Sequence, residues 1–286
     1  MGDDALSWLL LFVKLALYAS ALLAAGLALH TALGVVERAG QPAMLKRAAA
    51  AAIASAAFCG LRLVITNAQL SGGLATALDA TTFAWAWAAQ ASTVIATALS
   101  SLGMCAALLF RSRIVAGLSA MGLAVSFGLT GHAQAFADPG FAPWAVAAHV
   151  LIAAFWFAAP VSLWPAGQLD PATLAQRNRR FSSLAVAAVP VLFVLGLWLV
   201  WRIAGSIDAV ITSTYGRLLL VKLTVAAAAL GLGAFNKLVV TGALEADPAR
   251  GRLLLSRTLR LDTVLFATAL ALVAWATTMV GPPDAQ

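Results

Sequence analysis

Eight apolar stretches, each long enough to cross a bilayer, divide this chain, and the charged residues between them alternate in sign. A spanning helix needs roughly 20 apolar residues. The spans are read as residues 5–29, 48–67, 83–110, 114–137, 143–164, 181–203, 217–240 and 262–280. A membrane barrel would alternate polar and apolar residues in segments of about ten, and no such alternation occurs. Backbone groups in lipid must pair internally, which leaves helices. Charged residues make up only 10% of the 286 residues, against about 25% in an ordinary soluble domain.

Loop charges orient the spans. Arg38, Lys46 and Arg47 follow span 1, and Arg111 and Arg113 follow span 3. Arg177, Arg179 and Arg180 follow span 5. Lys237, Arg250, Arg252, Arg257 and Arg260 follow span 7. Together these are 13 of the 18 basic residues, all on one side. Asp3, Asp4, Asp79, Asp138, Asp208 and Asp284 lie on the other, opposed only by Arg202 and Arg217. Basic loops stay in the cytoplasm. The chain is therefore expected to be an all-α protein of the bacterial inner membrane. It would form one integral domain over 1–286, with about eight transmembrane helices and both termini periplasmic. The +7 net charge reflects topology and calls for no nucleic acid. Trp8, Trp85, Trp87, Trp144, Trp198, Trp201 and Trp275 fall near outer span ends as an interfacial belt, Trp164 marks the inner face, and Trp156 stands apart inside a span. The acidic start and long first apolar run predict that span 1 is retained, not cleaved as a signal. Cys59 and Cys105 both lie within apolar spans, so no structural disulfide is expected.

Charges inside the bilayer are costly, about 2.5–3.5 kcal/mol on insertion scales. Arg62 and Lys222 lie within about two turns of the outer end, where they can snorkel. Lys14 lies deeper, with no carboxylate at its depth, and is expected to face protein or a water-filled cavity. Asp262 reads as a first-turn carboxylate at the inner start of span 8, favoured by the helix dipole. His30, at the cytoplasmic end of span 1, reads as an interfacial, partly cationic residue.

His132 and His149 differ from His30. They flank the turn Asp138-Pro139-Gly140 on neighbouring antiparallel spans, each about 8–9 Å beneath the outer end. Gly128 and Gly131 remove bulk beside His132, so the two helices can approach closely. Trp156 follows His149 by two turns on the same face. Two imidazoles at matched depth suit copper or zinc. They equally suit axial ligation of a haem b, or two buried histidines hydrogen-bonded across helices. Met121, Met104, Cys105 and Cys59 are soft donors for Cu(I), though each alone is a common packing residue. No Walker loop or dinucleotide-binding turn is present. An enzyme is not expected outside a haem redox role.

Thr130-Gly131-His132-Ala133, followed by His149 and Ala153-Ala154-Phe155-Trp156, resembles the histidine region of the copper resistance protein D family. Thr212-Ser213-Thr214-Tyr215-Gly216-Arg217-Leu218-Leu219-Leu220-Val221-Lys222, ending in Asn236, resembles that family's most specific segment. Phe181-Ser182 and the closing Gly281-Pro282-Pro283 also fit. The resemblance covers about residues 115–283, with Phe157 where members often carry Gly and Asp262 where they often carry Glu. It implies copper movement from periplasm to cytoplasm, often beside a small periplasmic copper-binding partner. On that reading His132 and His149 form the entry site and Trp156 closes it from below. Met121, Met104 and Cys105 are lower stations. Tyr215, Arg217 and Lys222 at the outer end of span 7 contact a partner or an anion, or anchor the helix in the interface. The rivals are a haem-binding redox protein, with Arg62 or Lys222 pairing with a propionate, and a non-transporting scaffold for a periplasmic copper protein.

Overall fold

The computed structural model describes residues 3–130, 139–164, 169–204 and 206–280. Among these, the chain is helical and contains no strand. The helices are α1 (Asp3–Ala32), α2 (Gln41–Leu70), α3 (Ala80–Leu109), α4 (Arg113–Gly128), α5 (Ala142–Phe157), α6 (Ala159–Ser162), α7 (Pro171–Ala204), α8 (Ile207–Thr212), α9 (Thr214–Phe235), α10 (Thr241–Ala246) and α11 (Pro248–Trp275). A short 3₁₀ turn spans Leu74–Thr76, and π-helical segments Asn236–Val240 and Ala276–Val280 extend α9 and α11.

Among the described residues, seven helical stretches are long and apolar enough to cross a membrane: Asp4–Ala32, Gln41–Leu70, Ala80–Leu109, Ala142–Ser162, Pro171–Arg202, Thr214–Ala246 and Pro248–Val280. The chain is a multi-pass helical membrane protein. The expected fourth span is represented by the shorter apolar helix Arg113–Gly128. Its predicted outer part, with Gly131 and His132, lies outside the described residues.

Local chemistry starts and stops these helices. Asp79 caps α3 by accepting from the amides of Thr81 and Thr82. The hydrogen bonds from the Thr82 amide and hydroxyl hold its carboxyl below the ordinary range. Ser112, Ser213 and Asp247 cap α4, α9 and α11 by the same means. Each satisfies one of the unpaired amides that any helix start exposes.

Helix α1 packs against α2, α4, α5 and α11. Small residues allow the tightest approach: a methyl at Gly128 would sit 2.3 Å from the Pro143 carbonyl oxygen on α5. The close α4–α5 contact expected from that glycine is present. Helices α7, α9 and α11 form a more open flank, with long apolar faces turned outward.

The loops grouped by their basic residues meet on one face. Arg177 Nε donates to Glu37 Oε2 at 2.7 Å, and Arg113 Nε to Gln41 Oε1 at 3.0 Å. Gln41 Nε2 donates to the Arg111 carbonyl at 2.7 Å, and Arg180 Nε to the Leu33 carbonyl at 3.2 Å. Arg252 donates to the Leu169 carbonyl. At the opposite face the start of α1 meets the end of α11, with the Trp8 and Trp275 rings 5.5 Å apart. Of the tryptophans expected at outer span ends, Trp8, Trp85, Trp87, Trp144, Trp201 and Trp275 are exposed, whereas Trp156 is buried.

Two expectations fail here. His30 is not interfacial: it is fully buried. Its Nε2 bonds the Phe155 carbonyl at 2.7 Å, its Nδ1 bonds Ser162 Oγ at 2.6 Å, and Phe155 and Phe181 pack on the ring. Bonding to a carbonyl places the proton on Nε2, so Nδ1 accepts from the Ser162 hydroxyl. Asp262 is not in a first turn. Helix α11 begins at Pro248, fourteen residues earlier, and Asp247 is its cap. Asp262 is instead a buried mid-helix carboxylate whose Oδ1 has no hydrogen-bond partner. The misreading has one cause. Hydropathy marks the part of a helix that lipid can cover, while its charged turns continue beyond that.

Candidate functional site

A cavity of about 520 Å³ lies inside the bundle, between α1–α5 and the α7, α9, α11 flank. Its walls are mostly apolar, and Phe127, Trp156, Phe157, Phe193 and Phe266 supply aromatic surface. Its polar lining comes from Lys14 and Tyr18 on α1, Ser55 and Arg62 on α2, Thr93 and Thr97 on α3, and Ser126 on α4. Thr130 just beyond α4, His149 on α5, Tyr215 and Lys222 on α9 and Thr277 beyond α11 complete it. Among the described lining residues none is Asp or Glu.

Backbone geometry creates several of these positions. Lys14 Nζ donates to the Thr277 carbonyl at 2.9 Å. Thr277 belongs to the π segment Ala276–Val280. A π segment shifts the regular hydrogen-bond ladder and is frequent at functional sites. Lys14 thus faces protein and a cavity, as its depth predicts, but its partner is a main-chain oxygen that no search for carboxylates would find. Pro190 lies within α7, within two turns before the lining residues Leu192, Phe193 and Gly196. It cannot donate to the carbonyl four residues back.

His149 packs across α7 at Gly196, where a methyl would sit 3.2 Å from its Cε1 and 3.6 Å from its Nδ1. A side chain at 196 would displace the ring. His149 Nδ1 is buried with no hydrogen-bond partner, an uncommon state for a ring nitrogen. Arg62 and Lys222, read as snorkelling residues, both line the cavity. Trp156 lies on the same wall as His149, two turns along α5, with its indole packed against Gly233 and 6.1 Å from the Phe266 ring.

The other sequence candidates divide. His132 lies outside the described residues. Tyr215 is buried and, with Lys222 seven residues later, faces the cavity, whereas Arg217 is exposed. Met121 is 45% exposed on the flank of α4, Met104 is fully buried in helix packing, and Cys105 is half-buried with a free thiol. None of these three lines the cavity. Asn236 opens the π segment at the basic end of α9, buried, with its Oδ1 unpartnered. Among the described residues no three His, Cys, Asp or Glu side chains converge.

Residues 175–276 match the family model for copper resistance protein D. The matched stretch includes Tyr215, Gly216, Arg217, Lys222 and Asn236, and begins after the histidine region around His149. No curated protein and no solved structure matches the chain.

Proposed function

We propose that this protein moves copper across the bacterial inner membrane, from the periplasm toward the cytoplasm, with His132 and His149 as its first ligands. The match of residues 175–276 to the copper resistance protein D family carries this reading. The structure supports it in two respects. His149 has a buried, unpartnered ring nitrogen, and it stands at a membrane-embedded cavity on the side of the bundle where α1 begins and α11 ends. Neutral imidazole binds copper and protonated imidazole does not, so uptake weakens at acidic pH.

The test is copper content in cells. Cells expressing the wild-type chain should accumulate more copper than cells without it, and His149→Ala or His132→Ala should each return accumulation to the empty-vector level. Replacing both should add little, because two ligands of one ion act as a unit. Accumulation that is unchanged in both single variants would remove the histidines from the pathway.

A further inference from the structure

Lys14, Arg62 and Lys222 reach the cavity from three helices, and no described acidic residue joins them there. Arg62 and Lys222 make no hydrogen bond or ion pair with a described side chain or carbonyl, and Lys14 has only the Thr277 carbonyl. Each cation in a membrane span is costly, and such residues usually pair or line a substrate path. Snorkelling would carry them out to the headgroups, but these three line the interior of the bundle. They repel one another, and they repel a bare metal cation.

The cavity has the size of a small-molecule site, for which about 300–1,000 Å³ is usual, and its walls are otherwise apolar. A small hydrophilic anion would meet the charges and leave Phe127, Trp156 and Phe193 facing an empty space. An apolar body that carries carboxylates meets both demands.

We propose that the cavity binds an amphipathic carboxylate, with its acidic groups on Arg62 and Lys222, Lys14 adding positive charge, and its apolar body against the aromatic wall. Two kinds of molecule carry that chemistry in a membrane: a porphyrin with its propionates, and a long-chain fatty acid. The inference goes beyond the copper reading and does not rest on it. An anion seated here would also neutralise the cavity beside His149.

The full chain, purified in detergent, is titrated with haemin, metal-free mesoporphyrin and oleate, and binding is followed by absorbance and tryptophan quenching. One saturable site is expected. Arg62→Gln or Lys222→Gln should each weaken it about tenfold, as for loss of one charge-assisted hydrogen bond, and the double variant further. Arg62→Lys with Lys222→Arg should retain most of the affinity, which separates charge from misfolding. Porphyrin binding that oleate does not displace assigns the site to a porphyrin. Oleate binding without porphyrin binding assigns it to a fatty acid. Saturation by none of the three, or affinities indifferent to the double Gln substitution in a protein of unchanged melting temperature, would overturn the proposal. Copper accumulation is a separate readout, so either reading can fail alone.

Discussion

At the scale of single residues, the buried polar groups divide into satisfied and orphaned. Arg177 and Glu37 are satisfied. Arg177 hydrogen bonds hold the Glu37 carboxyl below its ordinary value of 4.5, against a desolvation that pushes the other way. A depressed carboxylate contributes stability above its unfolded pKa and loses it as pH falls through the folded one. Glu37→Gln should therefore melt lower than wild type at neutral pH, and the gap should close below pH 4.5; a constant gap across that range would refute the pairing. Asp262 is orphaned. A buried oxygen without a partner costs about 1–3 kcal/mol, so Asp262→Leu should leave the detergent melting temperature equal or higher. A clear drop would mean that the carboxylate has a structural partner. Retained stability with lost copper accumulation would identify it as a working acid. His30 was legible as a histidine near a helix end but not as a buried one. Its partners lie 125 and 132 residues away, and no local pattern encodes such contacts.

At the scale of elements, periodic hydropathy located the spans and missed their ends. Helices α2, α7 and α11 begin at Gln41, Pro171 and Pro248, each ahead of the apolar run it contains. Arginines and lysines are good helix formers, so the helix outlasts its hydrophobic face. The small-residue contact was legible: Gly128 removes bulk where α4 meets α5, and its tolerance can be measured. Gly128→Leu places carbon against the Pro143 main-chain oxygen, which cannot swing aside. The substitution should cost about 1–3 kcal/mol or more, read as a lower melting temperature and poorer yield. Wild-type melting in that variant would show that α4 and α5 can separate freely. The cavity was only half legible. Lys14, Arg62, His149 and Lys222 each stood out as polar groups in apolar spans, but their convergence depends on four helices packing together. The π segment Ala276–Val280 that shapes its edge has no signature in composition.

At the scale of the whole molecule, the loop charges foretold which loops share a face, and the Arg177–Glu37, Arg113–Gln41 and Arg252–Leu169 contacts join them there. The expected sidedness is that this face is cytoplasmic. An impermeant thiol reagent added outside should label a cysteine at position 284 and spare one at 178; labelling of 178 alone would invert the orientation. The depth of the cavity has an electrical consequence. Lys14 lies eleven residues into α1, Lys222 eight residues into α9, and Arg62 eight residues before the end of α2. At 1.5 Å per residue, that is about a third of the way through these helices. A ligand of unit charge seated there crosses about a third of the transmembrane voltage, about 0.8 kcal/mol or fourfold in affinity per 100 mV. In vesicles with an imposed potassium diffusion potential, oleate affinity should shift by about that factor and reverse with polarity. A ligand held at the surface would not respond to voltage at all.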